Sequence, residues 1–379
     1  MQIQNLHIRG LRAHEDSSFS FVPGVNLLYG PNGAGKTNVL EAVHYLCLAK
    51  SFITSSDSYA LRMGAPFMQM DAQVTTDRRG AEKIRFVFVP GEGKRLLVNG
   101  VPLDRLVDVV GRFPVVVLAP SDHRLTEEGP DERRRFLDTM LCQASPAYLT
   151  ALIAYRRVLK QRNELLARRS GMRREMIASY NHALATQGAR ILSRRGKFVR
   201  DFCLHLDAAY ALMAESSERP SIQYKTFAVS PAELSEDDQR DAYLKALDKR
   251  FDDECERGMT LLGPHRDELV FRLDDMLVRQ YASQGQHRTF VMALKLAQYF
   301  YLAERLGERP LLLLDDVFDT LDQNRMATIT DLLDGNAVGQ SLVTAARRDV
   351  FADVLQLDGT RSLALAVEPR AAIIPETGG

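Results

Sequence analysis

No apolar run in this 379-residue sequence approaches the roughly twenty residues that cross a bilayer, so a membrane-spanning helix is not expected. The opening stretch, MQIQNLHIRG, lacks the basic flank and apolar core of a secretory leader, and the expected location is cytoplasmic. Cysteine is scarce. Cys47, Cys142, Cys203 and Cys255 stand far apart with no CxxC pair, which argues against a zinc site and a disulfide framework. They read as reduced thiols, mostly buried. Internal repeats and low-complexity linkers are missing, and so are recognition-helix and zinc-finger patterns, which argues against sequence-specific reading of DNA. Net charge is zero.

That zero hides an asymmetry. Residues 121–200 hold 17 Lys and Arg against 8 Asp and Glu, whereas 201–260 hold 7 against 14. The basic stretch is either a solvated helical face or a surface for a phosphate backbone. The candidate phosphate contacts are Arg133, Arg134, Arg135, Arg156, Arg157, Lys160, Arg162, Arg168, Arg169, Arg173 and Arg174.

Hydropathy alternates through 2–9 and 18–21, and 25–29 is a short apolar strand. Meander strands are expected at 68–76, 82–90 and 95–98, and a buried strand at 115–118. From 131 to about 215 the pattern is helical; in 146–169 an apolar stripe is interleaved with arginines. A brief strand at 221–227 and an acidic helical stretch at 231–257 follow. Then come a strand at 268–274, a helix at 286–306, a strand at 310–314, a helix at 323–333 and a strand at 341–344. The tail, 368–379, is expected to be disordered. The plan is an α/β body at both ends of the chain, interrupted by a helical arm.

Gly30-Pro31-Asn32-Gly33-Ala34-Gly35-Lys36-Thr37 fits G-x-x-x-x-G-K-[ST] without a mismatch, between a strand and a helix. Glycines let backbone N–H groups turn around a phosphate, Lys36 adds charge on the β/γ oxygens, and Thr37 is placed for Mg²⁺. The alternative is a Gly-rich turn with an incidental lysine. Leu311-Leu312-Leu313-Leu314-Asp315-Asp316 then supplies acids at the carboxyl edge of an apolar strand, where parallel sheets bind ligands. Asp315 would hold Mg²⁺; Asp316 would orient or deprotonate the attacking water. Ser283-Gln284-Gly285-Gln286 opens a helix. It is either a plain capped helix or a second phosphate-seeking tip, which would make sense if it met the triphosphate held by another subunit.

GPNGAGKT, SQGQ, LLLLDD and Phe318-Asp319-Thr320-Leu321-Asp322 resemble the ABC-type ATPases of chromosome maintenance. The stretches Glu132–Asp138, Leu159–Asn163 and Gly263–Asp267 narrow the resemblance to the RecF family of recombination and gap repair. The resemblance implies an α/β fold, an ABC-type P-loop head formed by 1–121 plus 257–379, with 122–256 as an inserted helical arm or lid. It implies an ATP-driven homodimer on DNA, duplex or gapped, and slow DNA-stimulated hydrolysis that resets it. It also implies recombinase loading at gaps with RecO and RecR, in support of replication restart and the SOS response. By the same resemblance Ser283, Gly285 and Gln286 contact nucleotide across the dimer, Asp322 touches the opposite subunit and Arg12 lies near the nucleotide.

Two departures stand out. The segment Ala119-Pro120-Ser121-Asp122-His123 lacks the acid relatives place before Asp122, and no switch histidine follows the last strand. There Thr344-Ala345-Ala346-Arg347 leaves γ-phosphate sensing to Thr344 or to water. His265 and Arg266 are either a structural turn or a nucleotide contact. Three rival classes remain: a transporter's nucleotide-binding subunit, in which a long basic arm is unexpected; a small-molecule P-loop kinase, which has no use for SQGQ; and a non-hydrolysing structural protein. Long coiled coils are excluded, because only about 245 residues separate Lys36 from Ser283.

Overall fold

The computed structural model describes residues 1–168, 173–214, 217–228, 233–318, 322–335, 337–347 and 359–368. The expected disorder at 369–379 lies outside the described residues. The strands are β1 (Gln2–Leu11), β2 (His14–Ser20), β3 (Val25–Tyr29), β4 (Met68–Thr76), β5 (Gly80–Val89), β6 (Gly93–Val98), β7 (Val101–Pro102), β8 (Val115–Leu118), β9 (Pro220–Lys225), β10 (Glu268–Leu273), β11 (Met276–Leu277), β12 (Leu311–Leu314), β13 (Ser341–Ala345) and β14 (Ser362–Ala366). The helices are α1 (Lys36–Leu48), α2 (Arg124–Glu127), α3 (Pro130–Ala144), α4 (Pro146–Leu166), α5 (Arg174–Met213), α6 (Glu236–Lys249), α7 (Phe251–Arg257), α8 (Val278–Tyr281), α9 (Gln284–Leu306) and α10 (Gln323–Asp334).

The chain divides into two compact units, Met1–Asp122 with Leu302–Gly379, and His123–Tyr301. The first unit holds two sheets. One is antiparallel, in the order β2-β1-β4-β5-β6-β7; the other is parallel, in the order β14-β3-β13-β12-β8. Strict alternation of buried and part-exposed residues in β4 gives the antiparallel sheet one core face. In β12 all four leucines are buried, as a central parallel strand requires. Helix α1 is buried along nearly its whole length, and its residues share one apolar core with β1, β4, β5 and with Leu311 and Leu313 of β12.

The second unit is built on α4 and the 40-residue α5, with the small antiparallel sheet β11-β10-β9. Residues 257–301, which the sequence reading assigns to the nucleotide-binding head, fall in this unit. The reason is pairing: β10 runs antiparallel to β9 over six residues, from Glu268 against Lys225 to Leu273 against Pro220. Its cysteines Cys203 and Cys255 are half-buried, while Cys142 here and Cys47 in the first unit are buried; all four are free thiols. Among the described residues no helix is long and apolar enough to cross a membrane.

Candidate functional site

Three neighbouring strands of the parallel sheet, β3, β13 and β12, carry the chain to one carboxyl edge. The 30–35 loop leaves β3 there and enters α1. Gly35, the residue before α1, has φ +100, and a Cβ on it would lie 2.7 Å from His14 Nε2 and 3.1 Å from the Ala13 Cβ. Gly30 is equally confined, since a Cβ there would meet the Val367 carbonyl oxygen at 2.2 Å. Only glycine fits either place. Gly33 faces open space, Pro31 and Asn32 are exposed, and the Ala34 amide closes the turn onto the Pro31 carbonyl at 3.2 Å. Helix α1 has no capping side chain and no acid in its first turn, so the amides at its positive end are left for an anion. Lys36 is buried and donates to the Gly30 and Pro31 carbonyls at 2.9 and 3.2 Å.

Asp315 and Asp316 follow β12. The Thr37 hydroxyl donates to Asp315 Oδ1 at 2.7 Å, joining residues 278 positions apart. Thr344, on β13 between them, lies 2.9 Å from the same oxygen and 3.2 Å from Asp316 Oδ1, and it accepts the Asp316 amide at 2.8 Å. Burial pushes the Asp315 carboxyl up from its ordinary range; bonds from Thr37 and Thr344 oppose this, Asp316 adds to it and Lys36 opposes it. Asp316 sits at φ +45, a left-handed conformation that costs a non-glycine residue about 1–3 kcal/mol and persists only where its surroundings impose it. A hydroxyl and a carboxylate at this spot are hard oxygen donors of the kind Mg²⁺ takes.

Arg12 is the second strained residue, at φ +46, in the tip of the β1–β2 hairpin. Its guanidinium grips Glu41 through Nε at 2.5 Å and Nη2 at 3.0 Å, and the bond to Glu41 raises its pKa further. Glu41 is fully buried on α1 and also accepts from Ser51. His14 Nε2 lies 3.0 Å from the Gly35 carbonyl. Sequence reasoning missed Glu41 and His14. A lone acid inside the apolar run of α1 was the available signal for Glu41; nothing marks His14.

The SQGQ residues lie in the second unit. Ser283 and Gln286 cap each other: Gln286 Oε1 accepts the Ser283 amide at 2.7 Å, and Ser283 Oγ accepts the Gln286 amide at 3.2 Å. Gln286 also donates to Glu218 at 2.7 Å, and Gly285 is part-exposed in the same first turn. The tip residues Tyr281 and Ser283 are exposed. Asp322 caps α10 by accepting the Arg325 amide at 3.0 Å; Asp319, Thr320 and Leu321 lie outside the described residues. Asp122 accepts the Ala119 amide at 2.8 Å, tying up the turn after β8.

His265 belongs to a buried polar cluster. Tyr155 Oη lies 2.7 Å from its Nδ1, and the Thr260 carbonyl 3.2 Å from its Nε2. Burial lowers its pKa to about 4, so the ring is neutral. Arg266 donates to Met259 Sδ at 3.3 Å. These are the contacts of a structural turn.

The basic candidates divide sharply. Arg133 is buried against Glu268, and Arg162 is fully buried with Glu254, so neither is offered to a phosphate backbone. Arg134 is mostly covered and bonds the Asp267 carbonyl at 2.6 Å. Arg135, Arg156 and Arg174 are exposed but paired with acids. Arg157, Lys160, Arg168 and Arg173 are exposed. Arg169 lies outside the described residues.

Residues 2–365 match the family model described as RecF/RecN/SMC N terminal domain. The chain is 49% identical to the DNA replication and repair protein RecF of Salinibacter ruber, across 99% of this chain and 93% of the relative. It is 44% identical to the protein of the same description from Chloroherpeton thalassium, across 94% and 98%. A solved structure described as the recombination mediator protein RecF-ATP in the RecFOR pathway superposes with a TM-score of 0.88 at 28% identity, covering 97% of this chain and 95% of that one. The Smc head domain of Pyrococcus furiosus, at 14% identity and a TM-score of 0.56 over 97% of this chain and 94% of that one, shares the fold.

Proposed function

This chain belongs to the RecF/RecN/SMC family, and on that premise we propose that it is an ATP-switched DNA clamp of recombinational repair. The observation that carries the reading is the Thr37–Asp315 contact at 2.7 Å, which sets a phosphate-loop hydroxyl against the acid of a neighbouring strand. Residues Gly30 to Thr37 take the triphosphate on backbone amides. Lys36 exchanges its two loop carbonyls for phosphate oxygens. Thr37 and Asp315 would hold Mg²⁺, which supplies charge neutralisation to the phosphates. Asp316 orients or deprotonates the attacking water. Arg12, fixed by Glu41, faces the nucleotide from the hairpin tip. Ser283, Gly285 and Gln286 of a second copy complete the site, so that occupancy and dimerisation are linked.

Exposed bases on α4 and at the start of α5 grip the phosphate backbone of DNA without reading sequence. The relatives from Salinibacter ruber and Chloroherpeton thalassium are described as DNA replication and repair proteins, and the solved RecF structures as belonging to the RecFOR pathway. Recombinase loading at gaps with RecO- and RecR-type mediators in the cytoplasm, replication restart and SOS induction follow on this reading. Slow, DNA-stimulated hydrolysis releases the pair.

The test is mass and ATP turnover of wild type, Lys36→Arg and Asp316→Asn, each with and without duplex DNA. Wild type dimerises with ATP, Lys36→Arg stays monomeric, and Asp316→Asn binds ATP and accumulates as dimer. A wild-type chain that remains monomeric at high concentration with magnesium, a non-cleavable ATP mimic and DNA ends the proposal.

A further inference from the structure

The Thr344 hydroxyl is wanted by more groups than its single proton can serve. One lone pair takes the Asp316 amide at 2.8 Å. Two carboxylate oxygens then compete for the proton, Asp315 Oδ1 at 2.9 Å and Asp316 Oδ1 at 3.2 Å. Asp315 Oδ1 already receives Thr37 at 2.7 Å, so the nearer claimant is the better supplied. Asp316 is meanwhile held at φ +45, and the Thr344 oxygen holds its amide there. Thr344 has no solvent exposure.

We infer that Thr344 is a positioning residue that ties the orientation of Asp316 to the engagement of Asp315, and not a sensor of the terminal phosphate. The inference rests on the nucleotide-site reading above. While Asp315 is free, its Oδ1 collects both hydroxyl protons and Asp316 Oδ1 is left with the longer contact. Once Asp315 and Thr37 turn their lone pairs to a hard cation, Oδ1 of Asp315 is a poorer acceptor. The Thr344 proton then swings to Asp316 Oδ1, with no atom displaced but that hydrogen. Asp316 is thereby locked only in a charged site, and water is not activated in an empty one.

The experiment compares wild type, Thr344→Val, Thr344→Ser and Asp316→Asn as full chains. A fluorescent ATP analogue reports affinity, mass reports dimer, and Mn²⁺ titration with ADP, read by electron paramagnetic resonance, reports the metal site without turnover. Thr344→Val is expected to keep nucleotide affinity within about threefold, to lose turnover by about 100-fold and to collect as dimer, matching Asp316→Asn. Its Mn²⁺ affinity should be equal or higher, because Asp315 loses a competing donor. Thr344→Ser restores turnover. Weaker Mn²⁺ binding, or a selective loss of affinity for ATP over ADP, overturns the inference in favour of a structural or phosphate-sensing role. Normal turnover in Thr344→Val also overturns it. Normal turnover in Asp316→Asn instead overturns the nucleotide-site reading, which separates the two failures.

Discussion

In the second unit, Arg162 and Glu254 meet with no solvent exposure at either side chain, and the remaining Arg162 nitrogens go to Asn181 and Thr260. Arg195 likewise spends its three nitrogens on Tyr148, Asp138, Asp267 and the Pro264 carbonyl. At the phosphate-loop edge of the first unit the polar groups are contested instead: two carboxylates share one threonine proton, Asp316 is strained, and the first turn of α1 lacks a side-chain cap. Buried charge that is fully matched holds helices together. Polar groups left contested and strained at the carboxyl edge of a parallel sheet mark where a ligand belongs.

The strongest way to break this contrast is Arg195→Met. It takes the buried guanidinium away from Asp138 and Asp267, and removing one partner of a buried network costs about 3–5 kcal/mol. The urea midpoint of the second unit should fall sharply while nucleotide affinity stays within about threefold. Equal loss of both would mean the network also serves the phosphate edge. Next comes acid. The folded state refuses a proton at His265 until pH about 4, whereas the unfolded chain takes it near 6.5. The stability this group contributes is full above 6.5 and drains away as pH falls toward 4, by an amount on the order of 3 kcal/mol. Asp267, raised by burial, tilts the opposite way, so the check is the difference between wild type and His265→Gln; the variant's pH profile should be flatter over that window.

Gly35→Ala probes the other side of the contrast. The left-handed backbone and the 2.7 Å approach to His14 should weaken nucleotide binding at least tenfold, by about 1.4 kcal/mol or more, measured by titration with the fluorescent analogue. The smallest effect belongs to the exposed bases. Arg157→Ala, Lys160→Ala and Arg168→Ala should each leave stability within about 0.5 kcal/mol yet lower the salt slope of DNA binding by about one. Unchanged slopes would move the grip elsewhere.

Local signals carried much of this in the sequence. The phosphate loop is contiguous, the LLLLDD acids sit at the end of an apolar run, and the meander is legible because its strands alternate, observed at Met68–Thr76, Gly80–Val89 and Gly93–Val98. Pairing at a distance was not legible. Arg133 and Arg162 count as basic in any tally, but their acids lie 135 and 92 residues away, and only folding reveals that they are neutralised. The grouping of 257–301 with the helices depends on β10 finding β9. Strand β14 went unseen because its five residues, SLALA, have no turn chemistry or charge pattern to set them apart.

The strand that launches the phosphate loop has a consequence for synthesis. Both neighbours of β3 in its sheet, β13 and β14, are made more than 300 residues later. The Val367 carbonyl that crowds Gly30 comes later still. A nascent chain on the ribosome therefore cannot assemble its nucleotide pocket until more than 300 residues beyond β3 have been made. Chains that stop before Ser341 should be unable to take up nucleotide.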